Sequence, residues 1–241
     1  FDAVKNINNK ISKVLENEDS TNQSEIDKIL ISLDGTENKS NLGANSILAV
    51  SIANLKAAAK FSGKEIYEYI NNENKPLCMP YPLMNIINGG AHANNSLEIQ
   101  EFMIRPDGAK NFKECMQMSF LVIQNLKKNL ESKKISTSVG DEGGFAPSLE
   151  SDEEAIEVIL NSISASGFKP GKDISICLDV AANELRVPKN VQYFLDLVKK
   201  YPIKSIEDPF SEDDWDNWKN LTQKIKAQIV GDDLFVTNKK R

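Results

Sequence analysis

Apolar residues recur at helical spacing through the first quarter of the chain. They return every three or four positions over residues 4–15 and 26–33, which predicts two amphipathic helices. The second of these is expected to end at Gly35, because glycine commonly terminates a helix. Residues 45–61 are rich in alanine and apolar on most faces, so we expect a buried helix there. A polar stretch over residues 71–75, followed by three prolines, is typical of a linker between domains.

After Pro82 the periodicity changes, and short apolar runs alternate with helical patterns. The runs predict six strands: PLMNII, EIQEFMI, STSVGDE, ISICLDV, IKSIEDPF and AQIVGDD. The helical patterns lie over residues 111–128, 152–164, 192–200 and 214–224. Strands that alternate with helices at this interval are typical of parallel βα units, so this part of the chain is predicted to be an α/β domain.

Three of the predicted strands end in an acidic residue: Asp179, Glu207 and Asp232. Each follows the previous one by about one βα unit, so all three are expected at the same end of neighbouring parallel strands. Converging carboxylates repel one another unless a cation neutralises them, and hard oxygen ligands suit Mg²⁺. The sequence therefore predicts a magnesium site. For any single acid, the alternative that it solvates a loop or caps the next helix stays open.

A second group of candidate residues lies in and beside two glycine-rich segments. SVGDEGGFAP carries Glu142, expected to end the strand that precedes Asp179, and Glu101 belongs to the strand before that. Neighbouring carboxylates raise one another's proton affinity, which suits a group that delivers a proton at neutral pH. NGGAHANN carries His92, the single histidine, for which a structural role and contact with a ligand are both open.

Composition limits the classes of function. The chain has 241 residues, of which 40% are hydrophobic and 27% charged, and its formal net charge is −6. This acidity argues against nucleic acid or an anionic membrane as a partner, but not against a small anionic substrate held through a metal ion. No apolar run approaches the length of a spanning helix, so we expect no membrane span and no signal peptide. Cys78, Cys115 and Cys177 lack metal or redox spacing and are expected to be reduced core thiols of a cytoplasmic protein.

Five segments resemble the enolase family, in that family's order: LDGTENKSNLGANSILAVSIA, NGGAHANNSLEIQEFMI, SVGDEGGFAP, SIEDPFSEDDW and VGDDLFVTN. The resemblance implies an incomplete enolase-type α/β barrel over residues 76–241, preceded by a truncated α+β N-terminal domain over residues 1–75. It implies the Mg²⁺-dependent, reversible dehydration of 2-phospho-D-glycerate to phosphoenolpyruvate, in glycolysis and gluconeogenesis. It also implies a homodimer or octamer in the cytoplasm, with a cell-surface or secreted location as the alternative.

The same motifs assign roles to individual residues. The resemblance implies that the ligands of the first Mg²⁺ are Asp179, Glu207 and Asp232. It implies that Glu142 is the general acid that protonates the departing hydroxyl, assisted by Glu101. His92 would lie on a loop that closes over the substrate, and Gln100 would contribute near the hydroxyl.

The resemblance also predicts that the chain is partial. The family's base lysine, its phosphate-binding Arg-Ser pair and a second histidine would all follow Arg241, and the opening strands with a serine loop would precede Phe1. Residues 184–200 form a connection that is shorter than the family's. About six of the eight barrel strands are expected here. We therefore expect the isolated chain to bind Mg²⁺ weakly at most and to have no measurable dehydratase activity.

Three other hypotheses stay open at this point. A racemase or lactonising enzyme of the same superfamily would share the three-acid metal site, but would carry a lysine where this chain has SVGDEGG. A non-catalytic cell-surface protein would bind plasminogen through lysines such as Lys239 and Lys240, although lysines of an ordinary solvated surface look the same in sequence. A degenerate copy would serve as a structural partner of a full-length enolase.

Overall fold

A computed structural model describes residues 1–71 and 75–241 of the chain. The described residues form two compact units, Phe1–Cys78 and Met79–Arg241. The linker predicted over residues 71–75 falls largely on residues 72–74, which lie outside the described residues. No helix in the described part of the chain is long and apolar enough to cross a membrane.

The first unit is helical, as its periodicity predicted. Its helices are α1 (Asp2–Asn6), a π-helical stretch (Ile7–Ile11), α2 (Ser12–Val14), α3 (Gln23–Asp34), α4 (Ala44–Phe61) and α5 (Ile66–Tyr69). α3 begins after Asn22, whose side chain accepts a hydrogen bond from the amide of Glu25 at 3.4 Å. It ends at Gly35, which adopts a left-handed φ of +69°. The buried core of the unit consists of Ile11, Ile26, Leu30, Leu42 and Ile47.

Helix α4 is less buried than its composition predicted. Its buried residues are Ser46, Ile47, Ala58 and Ala59. Leu48 is 59% exposed and Ile52 is 42% exposed. Within this unit α4 packs against α1, α3 and α5, which cover only part of its circumference. The expectation of a helix buried on most faces is therefore wrong within the described unit.

The second unit is built on one five-stranded sheet in the order β1-β2-β3-β4-β5. The strands are β1 (Met84–Asn88), β2 (Glu101–Arg105), β3 (Ser175–Asp179), β4 (Ile203–Glu207) and β5 (Gln228–Val230). β3, β4 and β5 are parallel, as predicted, but β2 is antiparallel to both β1 and β3. The prediction of parallel units is wrong for β1 and β2, because only a short 3₁₀ turn at Gly90–His92 separates them and no crossover helix does.

Four helices pack with the strands of this unit in a common core. They are α6 (Phe112–Ser132), α7 (Asp152–Ala165), α8 (Val191–Lys200) and α9 (Trp215–Lys224), as predicted with small shifts at their ends. Each begins after a residue whose side chain accepts an amide hydrogen bond from the first turn: Asn111, Ser151, Asn190 and Asp214. Two helices, α6 and α7, lie between β2 and β3 in place of the single helix of a βαβ crossover, and β3 runs opposite to β2.

The SVGDE segment is a loop and not a strand. In and beside this segment, strand-like pairing is limited to two isolated β-bridges, between Ile87 and Phe145 and between Val139 and Phe145. The amide of Gly140 donates to the carbonyl of Gly144 at 2.8 Å, which closes a turn that an extended strand cannot contain. The prediction of six strands is therefore wrong, since the described residues contain five.

The cysteines are all free thiols, but they differ in burial. Cys115 and Cys177 are buried, and burial raises the pKa of both thiols, which suits the predicted role of inert core residues. Cys78 is exposed, so the prediction of a core position is wrong for this residue. It lies among prolines in a stretch without helix or strand, where no regular element buries it.

Candidate active site

The acidic residues that end β3 and β4 lie side by side. Asp179 is the last residue of β3 and Glu207 is the last of β4, and the two are register partners across the parallel pair. Their carboxylates and that of Asp208 each offer an oxygen atom, and these atoms all lie within 4.8 Å of one another. The structure therefore brings together two of the three acids predicted at the strand ends.

Asp232 reaches the same edge through the turn that follows β5. Glu207 is the register partner of Val230, the last residue of β5, so Asp232 comes just past the same end of the sheet. Its carboxylate forms a group with Asp208 and Asp233, again within 4.8 Å, and is not in the group of the β3 and β4 acids. Asp208 belongs to both groups and connects them.

Crowded negative charge and burial change the acidity of these carboxyls. Burial and then the charges of Asp179, Asp208 and further acids raise the pKa of Glu207 to about 7. Burial raises the pKa of Asp179 to about 6, although a hydrogen bond from Gln100 opposes the shift. The raised pKa values of both carboxyls are expected where negative charge is not balanced by nearby positive groups. Hard oxygen donors with unbalanced negative charge suit a divalent cation such as Mg²⁺, so the donor set fits the predicted ion.

Hydrogen bonds orient both carboxylate oxygens of Asp179. The side-chain amide of Gln100 donates to Oδ2 at 3.1 Å, and the amide of Ala181 donates to Oδ1 at 3.1 Å. The backbone amide of Gln100 also donates to the carbonyl of Asp179 at 3.0 Å. Gln100 therefore contacts a predicted metal ligand directly, a contact that the sequence did not predict.

Glu101, Glu142 and His92 form a second group beside these acids. Because β2 is antiparallel to β3, its first residue, Glu101, is the register partner of Asp179 and lies at the same edge. Nδ1 of His92 is 3.8 Å from Oε1 of Glu101, and Nε2 is 3.9 Å from Oε1 of Glu142. Burial, then a hydrogen bond with Glu142 and the charges of nearby acids, raise the pKa of Glu101 to about 8. The Glu101 carboxyl therefore binds its proton more strongly than an ordinary glutamate does.

The loop that carries Glu142 is tied to β1. The amide of Phe145 donates to a β1 carbonyl at 3.0 Å, and its own carbonyl accepts from the amide of Asn88 at 2.8 Å. Oδ1 of Asn88 accepts the amide of Gly144 at 2.9 Å. A Cβ on Gly144 would lie 2.7 Å from that oxygen, so only glycine allows the loop to approach the strand this closely. The glycines of this segment hold the Glu142 loop against the sheet.

Sequence reasoning missed Asp208 and Asn88. In a regular strand neighbouring side chains point to opposite faces, and this alternation would place Asp208 away from Glu207. The acidic pair followed directly by proline, which signals the end of a strand, was the feature that could have identified it. Asn88 is a fully buried polar residue that ends β1 directly before two glycines. A polar residue closing an apolar run before a glycine-rich turn was the corresponding signal.

Comparisons with known proteins identify the same family in both units of the chain. Residues 76–197 and 185–241 match the family model described as "Enolase, C-terminal TIM barrel domain", and residues 1–70 match "Enolase, N-terminal domain". A curated relative, "Enolase" from Pelagibacter ubique (strain HTCC1062), is 53% identical over 256 residues, an alignment that covers 99% of this chain and 60% of the relative. The chain therefore spans about 60% of the length of the curated relative it matches. With these matches, the sheet and helices of the second unit are those of an incomplete α/β barrel of this type.

Proposed function

This chain belongs to the enolase family, and from that premise we propose that it is part of a Mg²⁺-dependent hydro-lyase, a phosphopyruvate hydratase. The reaction is the reversible dehydration of 2-phospho-D-glycerate to phosphoenolpyruvate in cytoplasmic glycolysis and gluconeogenesis. One observation carries the proposal: the acids that end β3 and β4 lie at the same edge of one sheet as Glu101, whose pKa is raised and which stands beside Glu142 and His92. Dehydration next to a carboxylate needs both parts, because negative charge develops as one proton leaves and a second proton must reach the departing hydroxyl.

The residues that would hold the ion are Asp179, Glu207 and Asp232. When bound, Mg²⁺ supplies positive charge that stabilises the negative charge developing on the substrate carboxylate. The chain itself supplies ligand orientation, since Gln100 and the amide of Ala181 each fix one oxygen of Asp179. Orientation of this kind is what outer hydrogen-bond partners contribute to a metal site.

Glu142 is the proposed general acid, with Glu101 as its partner. The Glu142 side chain is 51% exposed and accessible to a ligand, whereas that of Glu101 is 12% exposed. In the forward direction the pair gives its proton to the departing hydroxyl, which leaves as water, while a separate base takes the proton from the substrate carbon. His92 lies between the two carboxyls on its glycine-rich loop, and this loop is proposed to close over the substrate.

The complete enzyme is proposed to contain residues 1–75 as part of its N-terminal domain and residues 76–241 as part of its barrel, and to assemble as a homodimer or octamer. The chain covers about 60% of the relative's length. The enolase resemblance assigns neither the family's base nor its phosphate-binding pair to a residue of this chain. We therefore expect the isolated 241-residue chain to show no measurable turnover. Lys239 and Lys240 are exposed, but exposure alone does not favour plasminogen binding, so no second function is proposed.

Metal titration of the purified chain tests the proposed ion site. Mg²⁺ binding by calorimetry, and Mn²⁺ binding by water-proton relaxation, should be weak and should fall by about tenfold or more in Glu207→Gln. The matched control is Glu131→Gln, which removes the same charge from an exposed position on α6. Equal affinities in the two variants would contradict the proposed metal site.

Turnover tests the proposed acid. The wild-type chain should be inactive with 2-phosphoglycerate, and turnover that disappears in Glu142→Gln would contradict this expectation. Reconstitution with the C-terminal segment of a longer family member should restore activity, and Glu142→Gln should abolish it again. A reconstituted enzyme that works equally well without the Glu142 carboxyl would overturn the proposed role of this residue.

A further inference from the structure

Asp208 is a buried carboxylate whose oxygens accept three backbone amides of the turn after β5. Oδ1 accepts the amides of Asp232 at 3.1 Å and Leu234 at 3.4 Å, and Oδ2 accepts the amide of Asp233 at 2.8 Å. The residue is 3% exposed. Three backbone amides converge on one carboxylate, and these contacts fix the backbone of the turn.

The backbone of Asp208 joins the ends of all three parallel strands. Its amide donates to the carbonyl of Val230 in β5 at 3.0 Å, and its carbonyl accepts the amide of Ala182, just after β3, at 3.0 Å. Asp208 has a φ of +41°, in the left-handed region that residues other than glycine rarely adopt. This conformation ends β4 and turns the Asp208 carboxylate to the same edge as its neighbour Glu207.

We propose that Asp208 is a positioning residue that sets the place of the Asp232 carboxylate at the metal-binding edge, and that it is not itself a metal ligand. The inference rests on the proposed function, in which Asp232 holds the ion. Asp232 is exposed, so the position of its carboxylate depends on the backbone turn that carries it. Asp208 holds that turn through the amide of Asp232 and the two amides that follow, and its oxygens are already engaged there.

The test combines metal affinity with amide hydrogen exchange in four variants of the full 241-residue chain. Asp208→Ala removes the acceptor, Asp208→Asn keeps one acceptor oxygen without the charge, and Asp232→Asn changes the proposed ligand. The matched control is Asp196→Asn, at an exposed position on α8. Mn²⁺ affinity is read by water-proton relaxation, and exchange is read at the amides of residues 232–234.

We expect Asp208→Ala to weaken Mn²⁺ binding by about 10–100-fold and to accelerate exchange at residues 232–234. Asp208→Asn should retain part of the Mn²⁺ affinity and part of the protection from exchange. It serves as the test if the alanine variant does not fold. Asp196→Asn should change neither. Unchanged exchange in the Asp208 variants would overturn the proposal. If Mn²⁺ binding were lost while exchange stayed unchanged, Asp208 would be a ligand and not a positioning residue.

The proposed metal role of Asp232 and the proposed positioning role of Asp208 are contradicted by different results. If Asp232→Asn binds Mn²⁺ as tightly as the wild type, the proposed metal role of Asp232 is wrong. In that case faster exchange in Asp208→Ala would still support its hold on the turn, while its link to metal binding would be overturned. If Asp232→Asn weakens binding and the Asp208 variants change neither readout, only the positioning role is overturned.

Discussion

Replacing Gly144 by alanine should displace the loop that carries Glu142. A Cβ on Gly144 would lie 2.7 Å from Oδ1 of Asn88, 2.9 Å from the nitrogen of Ile87 and 3.0 Å from the carbonyl carbon of Ile86. Ile86 and Ile87 belong to β1 and are 2% and 0% exposed, so the packed strand resists moving aside. The loop shifts instead, and it loses the 2.9 Å hydrogen bond from its own amide to Asn88.

The free energy of unfolding should fall by about 2–4 kcal/mol, of which overpacking contributes about 1–3 kcal/mol and the lost hydrogen bond about 1 kcal/mol. The matched control is Gly143→Ala, where an added Cβ meets nothing within 4 Å. Only its φ of +86° opposes alanine there, at a cost of about 1–2 kcal/mol. Urea unfolding followed by the fluorescence of Trp215 and Trp218, both in α9, measures the two variants. If Gly143→Ala costs as much as Gly144→Ala, the close-approach argument is wrong.

Substitutions at three further positions test the packing and charge of the two units. Asp152→Ala should cost about 2–4 kcal/mol in urea unfolding, because Oδ1 of Asp152 accepts the amides of residues 98–99 at 2.9 Å and 3.3 Å. Asp152→Asn keeps an acceptor and should cost less, so equal costs would count against this reason. Phe194→Ala should cost about 3–5 kcal/mol, since the ring is fully buried and meets two other rings edge-on; a loss under about 1 kcal/mol would mean that the core refills the space. Burial alone would raise the pKa of Asp34, but hydrogen bonds, including one from the amide of Leu42, outweigh it and hold the pKa below its ordinary value. A carboxyl with a lowered folded pKa stabilises the fold above its unfolded pKa of about 4 and loses this effect as the pH falls towards the folded value. Acid unfolding followed by circular dichroism should therefore be less steep in Asp34→Asn, and an unchanged profile would refute the assignment.

Helices were predicted well because their signals are local. The four helices of the second unit begin after residues such as Asn111 and Ser151, whose side chains accept an amide three positions on. Periodic apolar residues then mark the buried face of each helix. The burial of α4 was not predictable in the same way, because it depends on how many neighbouring helices cover each face. Amino-acid composition does not indicate that number.

Strands were predicted less accurately in segments that contain both glycine and residues typical of strands. STSVGDE looks extended in sequence, yet the hydrogen bond from Gly140 to Gly144 closes it into a loop. The direction of β2 was also missed, since the chain carries two helices between β2 and β3 and a strand pattern does not indicate direction. This error affects the site, because only an antiparallel β2 places its first residue, Glu101, opposite the last residue of β3.

The sequence by itself determined which chemical groups are present and roughly where each element ends: acids after apolar runs, glycines around Glu142, and one histidine on a turn. Only the tertiary structure decided which of these groups meet. Strand register places Asp179 beside Glu207, and a left-handed residue at Asp208 ties in the turn that carries Asp232. The physical reason is that element ends follow from hydrogen bonds and torsions a few residues apart, whereas register and direction follow from contacts between residues distant in the chain.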